Sequence, residues 1–173
     1  MRVLFKMQDR LRREVIAALS EPHPFAAERV AFLKCRVSSG VVSLIILAHE
    51  VHHVDDDDYL NDPSAGATMG PAAIRNALQV AYQQDTSMFH VHLHCHTGRP
   101  GFSRTDFRES ALFVPDFWNV RPALPHGAIV LSEDSGWGRC WYPGHKEPTD
   151  ITDFSFVGMP MRCTWKDQGK TRV

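Results

Sequence analysis

The sequence lacks three features that each indicate a class of protein: paired cysteines, long apolar runs and an excess of one charge. Its 4 cysteines form no CxxC pair, which argues against a structural zinc ribbon. The longest apolar run, VVSLIILA at 41–48, is far shorter than the roughly 20 residues that span a bilayer. A net charge of -1 over 173 residues favours neither nucleic acid nor an anionic membrane as a partner.

These absences predict a soluble, cytoplasmic protein with reduced thiols. The first residues, MRVLFKMQDRLRREV, have a short apolar start followed at once by charge, unlike a signal peptide. The length predicts one domain over residues 1–173. The polar ending KDQGKTRV predicts a flexible tail at 166–173.

The apolar periodicity predicts strands alternating with helices. Helices are expected at 8–20 and 70–84, with a short one after Asp106. Strands are expected at 1–7, 29–37, 41–54, the histidine-rich stretch from 88, 128–132, 139–143 and 154–165. This order predicts an α/β fold, a mixed β-sheet flanked by helices in a single domain.

Histidine, in contrast, is abundant, and 4 of the 10 histidines alternate along MFHVHLHCHTGRPGFSRTD at 88–106: His90, His92, His94 and His96. Alternate residues of a strand share one face, so we expect the four imidazoles on one side. Asp106 follows ten residues after the last histidine, preceded by Ser103. Two imidazoles and a carboxylate are a common ligand set for catalytic zinc, which predicts a metal site here.

Metal-assisted hydrolysis also needs a group that takes a proton from the bound water and delivers it to a leaving amine. A carboxylate from another element would serve. Two glutamates precede the histidine-rich strand and are candidates, Glu28 and Glu50.

A glutamate at a helix-to-strand junction, a hairpin, a helix, and a strand ending in HxH with SxxD downstream together resemble the JAMM (MPN+) metalloprotease family, also called JAB. The resemblance follows the element order over roughly residues 8–165. It implies a JAMM/MPN-like fold with one Zn²⁺. By the same resemblance, His94, His96 and Asp106 would be the metal ligands, Glu28 the catalytic acid/base and Ser103 the oxyanion donor.

Zinc enzymes of this family mostly cleave peptide or isopeptide bonds at the C-terminus of ubiquitin or ubiquitin-like proteins. The resemblance therefore implies a zinc metalloprotease, a deubiquitinase-like isopeptidase. It also implies a ubiquitin-like substrate and E1-like and E2-like partners. A tail ending in glycine could add as a strand beside a sheet edge and pass close to the metal.

The chain departs from the family pattern near the motif, which leaves alternatives open. Thr97 stands where the family usually has proline, and the gap before Asp106 is one residue shorter than usual. With His94 and His96 as ligands, we expect His90 and His92 in supporting or surface positions; the shorter gap leaves His92 and His94 as an alternative ligand pair. The small residues that usually follow the family's glutamate are also replaced, so Glu50 remains an alternative acid/base.

Other interpretations compete with this one. HLHCHT at 92–97 also resembles the opening of PHP-type phosphoesterases, and a metal-free MPN-like scaffold would only bind a partner.

Ser103 could simply cap a helix starting near Asp106. The four consecutive aspartates at 55–58 predict a solvated loop. Cys95 should point away from the imidazoles, into the core.

Overall fold

One mixed β-sheet organises the fold, in a computed structural model that describes residues 1–62, 66–158 and, for the backbone, 162–166. Its strands are β1 (Arg2–Gln8), β2 (Val30–Ser39), β3 (Ser43–His53), β4 (Ser87–Leu93), β5 (His126–Leu131), β6 (Gly136–Trp141), β7 (Thr149–Asp150), β8 (Asp153–Val157) and β9 (Arg162–Lys166).

The strands lie in the order β7-β6-β5-β4-β2-β3-β1-β8-β9. Strand β1 is parallel to β3 and β8, and β4 is parallel to β5. The remaining neighbours are antiparallel, among them the β2–β3 and β5–β6 hairpins. The predicted α/β class with a mixed sheet is therefore confirmed, whereas a JAMM/MPN-specific arrangement stays a prediction.

Helices cover both faces of the sheet: α1 (Asp9–Leu19), α2 (Pro71–Gln84) and α3 (Arg104–Phe113), with short 3₁₀ helices at Asp56–Asp58 and Val114–Asn119. Helix α1 buries Leu11, Val15 and Leu19, which recur at helical spacing on one side. Helix α2 buries only alanines, Ala73, Ala77 and Ala81. Such small side chains let α2 lie close to the sheet.

Strand β4 alternates between two hydrophobic cores. Phe89, Val91 and Leu93 belong to the core beneath α1. Met88 belongs to the other core, which α2 and α3 cover. Because side chains alternate along a strand, the histidines at even positions of β4 face the α2–α3 side. The fold thus puts polar ligand groups on a face that is otherwise apolar.

Most predicted elements are confirmed, and the exceptions lie near the ends of elements. The histidine-rich strand ends at Leu93, so its last two histidines fall in the loop that follows. The predicted strand region 154–165 is present as β8 and β9, apart from residues 159–161, which lie outside the described residues. The predicted tail also lies outside them beyond the backbone of Lys166. No helix in the described ranges has the length and apolar character to cross a membrane.

His126, at the start of β5, is fully buried and joins three segments of the chain. Its Nδ1 accepts a hydrogen bond from the Met88 backbone N–H at 3.1 Å, and its ring stacks on Phe117 with 5.1 Å between centroids. Its Nε2 lies 3.4 Å from the Arg121 carbonyl oxygen. Burial lowers the pKa of His126 to about 4, so the fold holds this imidazole neutral.

We expect His126 to make the metal-free protein less stable as the pH falls from 6.5 towards 4. The unfolded chain protonates this imidazole at its ordinary pKa, whereas the folded chain does so only near the lowered pKa. Stability is therefore complete above pH 6.5 and is lost below it. His126→Asn keeps an acceptor for the Met88 N–H but cannot ionise, so it should remove on the order of 2–3 kcal/mol of the pH-dependent change.

Urea unfolding at several pH values measures this effect. The matched control is His145→Asn, because His145 is exposed in the loop after β6. An identical loss of stability on acidification in His126→Asn and in the unmodified protein would contradict the assignment.

Candidate metal centre

The four alternating histidines form one row of imidazoles. Ring centroids are 5.9 Å apart for His90–His92, 5.0 Å for His92–His94 and 6.0 Å for His94–His96. The row continues past the end of β4 because the His94 N–H donates to the Leu131 carbonyl of β5 at 2.9 Å. The prediction that these imidazoles lie together is confirmed.

Two of these histidines meet a carboxylate. Donor atoms of His92, His94 and Asp106 all lie within 4.8 Å of one another. The His92 Nε2 is 3.7 Å from Asp106 Oδ2, and the His92 side chain is only 3% exposed. Ligands bound tetrahedrally to zinc lie about 3.4 Å apart, so small side-chain movements would bring these donors into coordination geometry.

The His92 ring carries the clearest sign of a missing ligand. Both of its nitrogens are buried, and neither has a hydrogen-bond partner within the described part of the chain. Buried polar atoms in native proteins almost always have a partner. A divalent metal between His92 and its neighbours would supply one.

Asp106 is held in place by the start of α3. Ser103 caps this helix, since its Oγ accepts from the Asp106 N–H at 3.1 Å. Asp106 Oδ2 in turn accepts from the Ser103 N–H at 2.6 Å, which completes a capping box. The capping alternative for Ser103 is thus observed. Its hydroxyl hydrogen takes no part in that box, so the oxyanion role stays a prediction.

Glu28 faces the same group of residues from the segment before β2. The backbone N–H groups of Ala27 and Glu28 donate to the Gly66 carbonyl at 2.8 and 3.0 Å, which fixes this segment. Burial raises the pKa of the Glu28 carboxyl, while the nearby His94 lowers it and Asp106 raises it. Glu28 lines the same cavity as His92, His94 and Asp106.

Glu50, the alternative acid/base, lies elsewhere. It forms an ion pair with Lys34 across the β2–β3 ladder. It does not line the cavity that contains Glu28, His92 and Asp106. The structure therefore brings Glu28 and not Glu50 to the candidate centre.

Position 66 must be small for Glu28 to reach its place. A Cβ atom on Gly66 would lie 2.9 Å from the Glu28 carboxyl carbon and 3.0 and 3.2 Å from its two oxygens. These distances are shorter than ordinary contacts. Nothing in the local sequence signals this approach, because it joins two segments almost forty residues apart.

His96 lies outside the group of donor atoms. Its side chain is exposed, and its Nδ1 lies 2.8 Å from the Thr97 carbonyl oxygen. Of the three predicted ligands, the structure brings together His94 and Asp106, with His92 in the place expected for His96. The shortened gap before Asp106 was the signal for this alternative pair.

His90 takes a different place in the row. Its ring makes edge contacts with Phe32 and Phe113, with centroids 5.7 and 5.3 Å away. Burial lowers its pKa to about 3, so it is neutral. It lines the cavity beyond His92, in agreement with the supporting role expected from the sequence.

The loop between β4 and α3 is held by the β5–β6 turn. The Gly98 N–H donates to Asp134 Oδ1 at 2.7 Å, and the Ser132 hydroxyl donates to the Gly98 carbonyl at 2.6 Å. The Glu133 N–H donates to the His96 carbonyl at 3.1 Å. Gly98 has a φ of 87°, a conformation that favours glycine. These contacts set the path from His94 to Asp106.

The candidate ligands open into a cavity of about 530 Å³ between α3, the loop before α2 and the sheet. The polar end holds Glu28, His92, His94, Ser103 and Asp106. The remaining lining combines apolar side chains with charged ones, among them Glu109 and Asp116. Two imidazoles and a carboxylate can hold a divalent cation and leave a position open for water or a substrate.

Comparisons with known proteins assign no family to this chain. No protein-family model matches it, and no curated protein matches it. The chain is similar to the solved STIL N-terminal domain of Trichoplax adhaerens, with 10% sequence identity and a TM-score of 0.38. That similarity covers 80% of this chain and 41% of the other, and at so low a TM-score it carries no conclusion on fold or function.

We expect His92→Ala and His94→Ala to weaken Zn²⁺ binding by at least about 100-fold, more than is typical for loss of a residue that only supports a ligand. His96→Ala is the matched control and should keep the affinity of the unmodified protein. Isothermal titration calorimetry with metal-stripped protein gives the affinities. Equal loss of binding in His96→Ala and His92→Ala would return the ligand role to His96.

Proposed function

We propose that this protein is a zinc-dependent peptidase or isopeptidase with a JAMM-like centre. Its substrate would be the amide bond at the C-terminus of a ubiquitin-like protein. One observation carries the proposal: Glu28 faces the His92–His94–Asp106 group within one cavity. A metal site for hydrolysis and a carboxylate for proton transfer are the two parts that this chemistry needs.

The residues fit a zinc ion. His92, His94 and Asp106 would hold it, and the two unpartnered nitrogens of His92 give one donor for the metal. Bound there, Zn²⁺ would polarise a substrate carbonyl and lower the pKa of a water molecule. The Ser103–Asp106 capping box would keep the carboxylate oriented, as hydrogen bonds to metal ligands commonly do.

Glu28 would act as the proton carrier. Its carboxylate accepts a proton from the attacking water and later delivers it to the departing amine. Burial raises the pKa of this carboxyl, which makes it a stronger base than an exposed glutamate. The Ser103 hydroxyl donates to the oxyanion that forms on the carbonyl oxygen.

Two observations favour amide hydrolysis over phosphoester hydrolysis. The PHP alternative needs further His and Asp ligands, whereas the described residues contain one group of three donors. Carboxylates also outnumber cations in the cavity wall, where Arg108 is the single lysine or arginine. A phosphate dianion would meet repulsion there.

A metal-free scaffold is less favoured for a physical reason. Without a bound cation, the buried nitrogens of His92 have no hydrogen-bond partner among the described residues, and a fold gains nothing from such a group.

The ubiquitin-like substrate and the E1-like and E2-like partners come from the family resemblance of the motif alone. A cytoplasmic setting belongs to the same proposal. The free thiols of Cys35, Cys95 and Cys140 agree with a reducing compartment. Exposed Cys95 turns outward rather than into the core that the sequence predicts for it.

We expect Glu28→Gln to lower the hydrolysis rate by at least about 100-fold, because the amide cannot carry the proton. Zinc content should not change, since Glu28 is not among the candidate ligands. The assay uses a ubiquitin-like fusion and a phosphomonoester side by side. Glu50→Gln is the control and should retain full activity.

Three outcomes would contradict the proposed function. Activity on the phosphomonoester alone would favour the PHP alternative. Full activity of Glu28→Gln would remove the proposed proton carrier. Inactivity on both substrates, together with tight binding of a partner, would favour the scaffold.

We also expect Gly66→Ala to lower the turnover number by about 10-fold or more. The added methyl group would displace the Glu28 carboxylate, and a small misplacement of a catalytic group is enough for such a loss. Gly101→Ala is the control, because a Cβ atom there meets nothing within 4 Å. Zinc titration should give the same affinity for both variants. Equal turnover in both would show that Gly66 does not position Glu28.

A further inference from the structure

Helix α3 and the 3₁₀ helix after it present an acidic wall to the cavity. Eight residues of this segment between 105 and 116 line it. Among them Thr105, Glu109, Leu112 and Asp116 recur three or four residues apart, as neighbours along one stripe of helical structure do. Glu109 and Asp116 on this side carry carboxylates. Asp62 lines the cavity from the loop before α2. We call these three residues, Asp62, Glu109 and Asp116, the acidic rim.

Arg108, a basic side chain of the cavity lining, offsets one of the three rim charges. Arg108 lies next to Glu109 in the chain and pairs with it, with 3.0 Å between Nη2 and Oε1. Asp116 is exposed, and no hydrogen bond or ion pair holds its carboxylate within the described residues. A divalent metal would balance the charges of Glu28 and Asp106, which leaves Asp116 as the rim carboxylate that gives this side of the cavity its negative charge.

An apolar ledge lies beside the rim. The Leu112 side chain is 66% exposed, although it borders the cavity together with Met69, Ile74 and Phe113. Exposed leucines are ordinary when scattered singly. This one lies between Glu109 and Asp116 on the same side of the helix, so a bound chain would meet apolar surface and negative charge together.

The cavity behind the rim is the one that holds the candidate metal centre. His92 lines it with a side chain that is 3% exposed. Neither of its nitrogens has a hydrogen-bond partner among the described residues. The rim therefore borders the candidate metal centre within one cavity and is not an isolated acidic patch.

We propose that the acidic rim selects a basic peptide segment, one that presents lysine or arginine close to the bond to be cut. The occupant would be an extended segment of another protein with an apolar side chain on Leu112 and a cationic one near Glu109 and Asp116. Acidic or phosphorylated segments would be rejected by the same charges. The position of the cut bond rests on the proposed function, whereas the charge preference does not depend on catalysis.

The test measures binding, so that it stays separate from hydrolysis. Zinc-loaded Glu28→Gln protein is titrated into two labelled peptides that differ only in carrying lysines or glutamates beside a central Gly-Gly. Fluorescence anisotropy at low ionic strength should show at least about 10-fold tighter binding of the lysine peptide. Salt should reduce that advantage, because exposed charges are screened.

Matched variants locate the effect. Glu109→Gln combined with Asp116→Asn should reduce the ratio of the two peptide affinities to less than about 3-fold. Each exposed ion pair between a peptide lysine and a rim carboxylate contributes little by itself, so loss of both should remove most of the preference. Asp57→Asn combined with Glu147→Gln removes the same two charges from exposed positions outside the cavity lining. This control should keep the full preference.

Equal affinity for the two peptides, or no binding of either, would overturn the inference. So would a lysine advantage that the two double variants reduce equally, because net charge would then explain it. Tight lysine-peptide binding without cleavage by the unmodified protein would contradict the proposed hydrolysis and leave the charge preference standing.

Discussion

The buried imidazole of His92 is the constraint on which the candidate centre depends. Its nitrogens have no hydrogen-bond partner among the described residues, and its Nε2 lies 3.7 Å from Asp106. Leaving a buried polar group without a partner costs about 1–3 kcal/mol. The surrounding structure must hold the ring there against that cost. A bound cation would accept a lone pair from this ring and so remove the cost of leaving that nitrogen without a partner.

The sheet fixes this ring and leaves room in front of it. His92 lies in the middle of the sheet, opposite Val30 of β2 and Val130 of β5. One position earlier on the same face, the neighbour of His90 on β5 is Ala128, a small residue that lines the cavity. Strand pairing, and not any local motif, therefore decides which histidines are deep and which are exposed.

Periodicity in the sequence is enough to predict the α/β fold and the row of imidazoles, because both depend on local spacing. It could not choose between His92 and His96. That choice depends on where β4 ends and on how the next loop runs, which Ser132 and Asp134 fix from a distant turn. The need for a small residue at Gly66 could not be predicted for the same reason, because its close approach to Glu28 joins two segments that are remote in sequence.

A crystal structure of the zinc-loaded protein, with anomalous scattering recorded at the zinc edge, tests the central claim most directly. We expect one anomalous peak bonded to nitrogens of His92 and His94 and to an oxygen of Asp106, at about 2.0–2.2 Å. Glu28 should face the open coordination position. A peak held by His94 and His96 without His92, or no peak at the row of imidazoles, would contradict it.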